Sequence, residues 1–551
     1  MEKAGNHMEA MVPKPFSRNT SKKKENSTDA SVVGLVQKVA GSRITGSLVD
    51  DGADKVRLET VLRIPCEGST VFGIVSNMET RGFRSGEPAT GAFFDMDLIG
   101  ESTRDAAGDV SFQRGVSVYP GLNASVFRAS AEDLALIYAR PNVPSVNIGT
   151  LHFESRLPAY LITDELLGKH CAILGATGSG KSSGLVVIIR SLIDQYPHAH
   201  VVILDPHDEY AAAFGDICEV ITVEDLDLPY WLLNFEEMKG LMCSGDPVSR
   251  ETEAAILRVA VEAAKREYLE GQGIGYPVKV DTPVPYWLSR VLRSIQEAMG
   301  QLDRPGEALP YLRLKSRIEA LQSDRRYNFM FSNMLVKDTM AEILSRFIRL
   351  PADEKPISVV SMAGMPSEIV NLVVSVLGRL LFDFSVWRDQ ARKLPILLVC
   401  EEAHRYIPRN PHTAYQPARN IISRIAKEGR KYGFSLALIS QRPSELDETV
   451  LSQCNTLLAM RLSNERDQEV LARALPDNTP GLLASLPVLR TREAVAAGEG
   501  VSIPMRFKFK ELLRANRPKG KTVSFAENWG EAFPVGDHVR ETVDRWRRQV
   551  K

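Results

Sequence analysis

The octapeptide Gly175-Ala176-Thr177-Gly178-Ser179-Gly180-Lys181-Ser182 sets glycines, a lysine and a hydroxyl at the spacing G-x-x-x-x-G-K-[ST]. Glycines let backbone N–H groups approach phosphate oxygens, and a helix that starts at the end of the loop adds a fixed positive pole. Lys181 then faces the β- and γ-phosphates of a nucleoside triphosphate, Ser182 offers its hydroxyl to Mg²⁺, and Ser183 closes the ATP-binding stretch. Hydrolysis also needs carboxylates at the end of a neighbouring strand, and Glu401-Glu402-Ala403-His404 follows the apolar run Ile396-Leu397-Leu398-Val399-Cys400. Glu401 takes the metal-side position usually held by Asp, and Glu402 is the expected general base for the attacking water. The bland alternative is an acidic helix start whose carboxylates only favour the dipole; the phosphate loop upstream argues against it. His404 is given no chemistry. Gln441, after a second apolar run, can hydrogen-bond a γ-phosphate or the water. Arg430 lies in the cation cluster Lys427-Glu428-Gly429-Arg430-Lys431 and has two readings: a cation at a helix C-terminus, or an arginine finger supplied to a neighbouring subunit. Asp205 and Glu209, in Asp205-Pro206-His207-Asp208-Glu209-Tyr210, are expected to support the site rather than to ligate.

These groups need elements that deliver them to one edge. Short apolar runs at 171–174, 201–205, 219–223, 357–361, 396–400, 434–440 and 456–460 read as strands buried on both faces. Helix-forming stretches separate them, beginning with Ser183 to Tyr196. The fold class is therefore α/β, a P-loop core on a mostly parallel sheet whose carboxyl ends carry the ligand site. Helical periodicity dominates residues 229–350, with helices expected over 251–268, 286–299, 312–321 and 339–350, and reads as a bundle inserted into that core. Residues 31–148 carry short β-rich runs broken by Gly and charged turns, the pattern of a small β-barrel. The expected organisation is an arm over 1–30, a barrel over 31–148, a core over 149–228 and 351–510 around the bundle, and a basic arm with Trp529 and Trp546 over 511–551.

A chain of 551 residues is too long for one ordinary domain, and a formal net charge of −1 means that any basic surface must be local. Six cysteines without C-x-x-C spacing fit a reducing cytoplasm. The longest apolar stretch, 369–384, is interrupted by Asn371, Arg379 and Asp383, so no membrane span is expected. The first thirty residues, with Lys22-Lys23-Lys24 among Ser, Asn and Pro, read as a disordered basic arm.

The motifs LGATGSGKS at 174–182, LDPHDEY at 204–210, LLVCEEAHRYIP at 397–408 and SRIAKEGRKYGFSLALISQRPSEL at 423–446, in this order, resemble the HerA family of hexameric DNA translocases. The resemblance covers roughly residues 30–510. It implies an N-terminal HAS-type barrel, a RecA-like core with a helical insertion, and a homo-hexameric ring with ATP sites between subunits. Lys181, Ser182 and Glu401 would then hold ATP with Mg²⁺, Glu402 would be catalytic, Gln441 the sensor and Arg430 an arginine finger. Arg156, in Phe153-Glu154-Ser155-Arg156-Leu157-Pro158, resembles a second arginine acting in trans. The implied function is ATP-driven translocation or unwinding of double-stranded DNA beside a separate effector, a nuclease or a sirtuin-like NADase, in DNA end processing or anti-phage defence. An ATP-switched ring that scaffolds an effector without being a processive motor is the competing reading. Arg405, Arg409 and Arg419 are candidates for contact with DNA.

Overall fold

A computed structural model describes residues 31–49, 54–81, 91–275, 277–302, 305–332, 336–389, 391–410, 416–475, 480–519 and 538–548. The arm expected over 1–30, Pro411 to Thr413, and Trp529 fall outside them.

The first sheet is built from β1 (Val32–Ala40), β2 (Arg43–Leu48), β3 (Val61–Cys66), β4 (Ser69–Arg81), β5 (Gly91–Arg104), β6 (Val110–Arg114) and β7 (Ser125–Arg128). Its order is β2-β1-β7-β3-β4-β5-β6, and the further pairing of β2 with β5 closes six of the strands into a barrel that leaves no free edge between them. Val36, Ile44, Leu62, Val75 and Phe94 fill its interior. Two glycines make room for the Phe94 ring: a Cβ at Gly34 or Gly46 would stand 2.8 or 2.3 Å from it. The outer wall, with Val61, Phe72, Ile74 and Ile99, packs on the second body of the protein.

That body is organised by an eleven-stranded sheet. Its strands are β8 (Ser145–Leu151), β9 (Pro158–Ile162), β10 (Cys171–Leu174), β11 (Val201–Asp205), β12 (Cys218–Ile221), β13 (Ile357–Ser361), β14 (Ile396–Cys400), β15 (Phe434–Ser440), β16 (Thr456–Ala459), β17 (Glu493–Gly498) and β18 (Met505–Phe509). The order is β12-β13-β11-β14-β15-β10-β16-β17-β18-β8-β9. From β12 to β16 every pairing is parallel. From β16 to β9 every pairing is antiparallel. All residues of β10, β11, β13, β14 and β15 are buried, as expected of strands covered on both faces. The antiparallel flank is absent from the sequence-based strand set. It arises because the stretches before the phosphate loop and after residue 490 complete the same sheet from opposite ends of the chain.

Between β12 and β13 lie helices Phe235–Met242, Pro247–Gly271, Leu288–Gly300, Leu309–Ser323 and Met340–Ile348. They begin where the capping chemistry permits: Asn234 and Glu237 form a reciprocal capping box, and Asp246 caps a helix with Pro at its first position. The bundle is tied to the core by a buried ion pair. Arg379, on helix Ser367–Trp387, donates to Glu237 at 2.9 Å and to the Leu232 carbonyl at 2.5 Å, and Ser375 donates to Glu237 at 2.9 Å. Helix Ser367–Trp387 is long and apolar enough by composition to cross a membrane, but 78% of its most apolar window is buried within the protein.

Candidate active site

The phosphate loop joins β10 to helix Lys181–Gln195. Gly178 and Gly180 adopt φ of 73° and 105°, which side-chain-bearing residues rarely enter, so the glycines of the motif are required by the backbone. At Gly180 a Cβ would also press on Met460 Cε at 3.2 Å and the Arg492 nitrogen at 3.3 Å. Protein contacts fix the loop's flanks: the Ala176 N–H donates to the Arg461 carbonyl at 2.8 Å, and the Arg492 N–H donates to the Ser179 carbonyl at 3.1 Å. The Ser179 hydroxyl is buried without a hydrogen-bond partner.

Three further parallel strands, β11, β14 and β15, bring the other groups to the same edge. Thr177 Oγ1 donates to Gln441 Oε1, and Gln441 Nε2 donates to Glu402 Oε1 at 2.7 Å. The end of β15 is thereby linked to both the phosphate loop and the end of β14. Glu402 has left-handed backbone, φ 52° and ψ 46°, an arrangement disfavoured for a side-chain-bearing residue and found where a site demands it. Glu401, only 3% exposed, accepts from the Tyr210 hydroxyl at 2.5 Å. Burial pushes its carboxyl up to about 8; Glu402 and Glu209 add to this while Tyr210 and Lys181 oppose it. Lys181 is also buried, which lowers its ammonium from the ordinary value, and Glu401, Glu402 and Glu209 counteract the shift. Its Nζ donates to the Ala176 carbonyl at 3.3 Å.

The loop after β11 contributes contacts that motif spacing does not reveal. Asp205 accepts from the backbone N–H groups of His207 at 3.1 Å and Tyr210 at 3.0 Å, which curls the loop back on itself. This presents Glu209 to the phosphate loop, where it accepts from Ser182 Oγ at 2.6 Å, and aims the Tyr210 hydroxyl at both Glu401 and Ser182. Asp205 therefore shapes the loop, whereas Glu209 reaches a motif residue directly. Ser182, Glu401 and Glu209 offer the oxygen donors that Mg²⁺ takes. Among the described residues no three His, Cys, Asp or Glu side chains form an all-protein cage. A site with one or two protein oxygens completed by phosphates is the usual magnesium arrangement beside a nucleotide, so the residues present fit this ion.

The two arginines that the resemblance assigns to a neighbouring subunit's site are both exposed. Arg430 is exposed in the turn Gly429–Tyr432 ahead of β15, whereas Gln441 follows that strand. Seven strand residues put the two ends roughly 20 Å apart. Arg156 is exposed in the turn between β8 and β9, its backbone N–H donating to Glu154 at 3.2 Å. The candidate DNA-contact arginines are engaged within the chain: Arg405 with Ser367, Arg409 with Glu448 and Arg419 with the buried Asp447.

With this geometry, the chain was compared with known proteins. Residues 146–381 match the family described as helicase HerA, central domain. The DNA double-strand break repair helicase HerA of Pyrococcus furiosus is 27% identical over 463 residues, covering 77% of this chain and 78% of its own length. A probable DNA double-strand break repair helicase HerA of Methanocaldococcus jannaschii is 26% identical over 527 residues, covering 90% of this chain and 98% of its own. Among solved structures, VirB4 of Thermoanaerobacter pseudethanolicus matches with a TM-score of 0.50 at 14% identity, over 68% of this chain and 98% of that one, which shows a shared fold. A phosphate loop, a glutamate pair and a glutamine gathered at the carboxyl edge of a parallel sheet thus coincide with these matches: the chain is a P-loop ATPase similar over most of its length to helicases named HerA.

Proposed function

We propose that this ATPase is a ring-forming motor that moves along or unwinds double-stranded DNA, the substrate class suggested by relatives named as DNA double-strand break repair helicases. The observation that carries the reading is the split between two edges of one sheet. Lys181, Ser182, Glu402 and Gln441 gather at the carboxyl edge, while Arg430 stands exposed beyond the amino end of β15. An arginine so placed serves a γ-phosphate only on another copy of the chain, which makes hydrolysis depend on assembly. A homo-hexamer, as in the family resemblance, supplies such head-to-tail contacts.

In this reading Lys181 and the loop N–H groups hold the triphosphate. Ser182 and Glu401 would hold Mg²⁺, with Ser182 giving up its bond to Glu209, and the chemistry supplied there would be neutralisation of phosphate charge. Glu402 orients the attacking water and accepts its proton, while Gln441 exchanges its contacts with Thr177 and Glu402 for a phosphate oxygen. The energy released is coupled to DNA movement, and a separate polypeptide, a nuclease or NADase, supplies any further chemistry in end processing or defence.

The test is ATP turnover with and without duplex DNA across a salt series. A motor gripping phosphates shows DNA stimulation that declines steeply with salt. Turnover indifferent to DNA but responsive to a co-encoded protein would replace this reading with the ATP-switched scaffold.

A further inference from the structure

The side chain of His404 stands at the junction of the two strand ends that carry hydrolysis. Its Nδ1 lies 3.2 Å from Glu402 Oε2 and 3.2 Å from Ser440 Oγ. Ser440 is the last residue of β15, immediately before Gln441, and its Oγ also accepts the Arg442 backbone N–H at 3.1 Å. Glu402 uses one carboxylate oxygen to accept from Gln441, while the other is buried and makes no well-directed hydrogen bond. Among the described residues the only other imidazole paired with the carboxylate, His207, is 3.8 Å from Oε1 and half exposed.

We propose that His404 is the positioning residue of Glu402, donating from Nδ1 to the unpaired carboxylate oxygen and fixing the base relative to the Ser440-Gln441 strand end. The proposal rests on the reading of Glu402 as the base. One nitrogen cannot serve both partners fully. As a lone pair it accepts the Ser440 hydroxyl; as an N–H it donates to Glu402. The choice matters once Gln441 turns to a phosphate oxygen, because Glu402 then loses the hydrogen bond that holds it. A carboxylate that must aim a water within a few tenths of an ångström needs a second anchor at that moment, and His404 is the donor already within reach. The left-handed backbone at Glu402 serves the same end, since it turns the side chain toward β15 and His404.

Three substitutions separate positioning from bulk. Asn places its amide nitrogen near the locus of Nδ1, Gln carries it one bond farther toward that of Nε2, and Ala removes it. On the full chain with saturating duplex DNA, His404→Ala is expected to lower kcat by at least about tenfold with KM for ATP within about twofold, the signature of an interaction realised in the transition state. His404→Asn should recover most of kcat and His404→Gln should not. In a Glu402→Gln background, His404→Ala should change kcat less than about twofold, because two groups acting as one unit are not additive. Equal rates for the Asn and Gln variants, unchanged kcat in the Ala variant, or a full tenfold loss in the Glu402→Gln background would each overturn the proposal. Failure of the underlying reading is distinct, since it is seen when Glu402→Gln alone keeps near-normal turnover.

Discussion

Replacing Arg430 with alanine discriminates sharply between action within a chain and action across a subunit contact. Arg430 and the phosphate loop of its own chain are separated by the length of β15, roughly 20 Å. At that distance a unit charge interacts with another by about 0.2 kcal/mol in water and by less than about 1 kcal/mol at an effective dielectric of 20. Screening beyond a Debye length of about 8 Å reduces this further. Within one chain, therefore, the substitution should change turnover by less than about fivefold. An arginine that touches the transferred phosphate of a neighbour contributes roughly 10³- to 10⁵-fold. The assay is ATP turnover at saturating nucleotide, with assembly followed by light scattering. Arg430→Ala rings should form, bind ATP and be nearly inactive. Mixing them equally with inactive Lys181→Ala chains should restore activity at contacts that join an intact phosphate loop to an intact arginine, about a quarter of contacts under random mixing in a head-to-tail ring. A loss below fivefold, or no rescue in verified mixed rings, would refute the trans assignment.

Further outcomes are expected of other groups. Glu402→Gln keeps the side-chain shape while removing the base, so ATP should bind normally and turn over about a hundredfold more slowly; Lys181→Ala should instead weaken nucleotide binding, measured with a fluorescent ATP analogue. Arg379→Ala strands the buried Glu237 carboxylate and should lower unfolding stability by about 3–5 kcal/mol, read from denaturant titration. Lys265 is buried, which lowers its ammonium to about 8, so the unfolded chain binds the extra proton between pH 8 and the ordinary 10.5. Stability should rise with pH across that window by roughly 3 kcal/mol, with the cost of burying the charge fully present below pH 8. Lys265→Met should flatten this rise, and an unchanged slope would contradict the assignment.

The sequence revealed the central strands because burial on both faces leaves continuous apolar runs: β10, β11, β13, β14 and β15 lie where those runs lie. The antiparallel flank was illegible for the opposite reason. β17 is Glu493-Ala494-Val495-Ala496-Ala497-Gly498, short residues with little periodicity, and its partner β18 is joined to β8 from far upstream. At the site, the phosphate loop and the residues after β14 and β15 could be named because glycine and carboxylate positions follow from the chemistry. Glu209 on Ser182 and Tyr210 on Glu401 could not, since they depend on how Asp205 curls its loop and on the left-handed Asp208, φ 58°. His404 was legible as a residue but not as a contact, because its approach to Ser440 requires β14 and β15 to be neighbours in register.

The pairing of β18 with β8 sets an order on how the protein comes into being. Phe507 aligns with Leu151 across more than half of the chain, whereas every strand of the closed barrel lies between Val32 and Arg128. During synthesis the barrel can therefore close while the remainder is still unmade, but the ATPase sheet waits for β18, the last strand among the described residues, before its flank is complete. Contacts so distant in sequence form slowly, and until they do the edges of β8 and β17 remain open to other chains. A ribosome stalled before residue 505 should thus release a protein with a finished barrel and an unfinished, aggregation-prone motor, and loss of the final strand should be felt first in solubility and only then in catalysis.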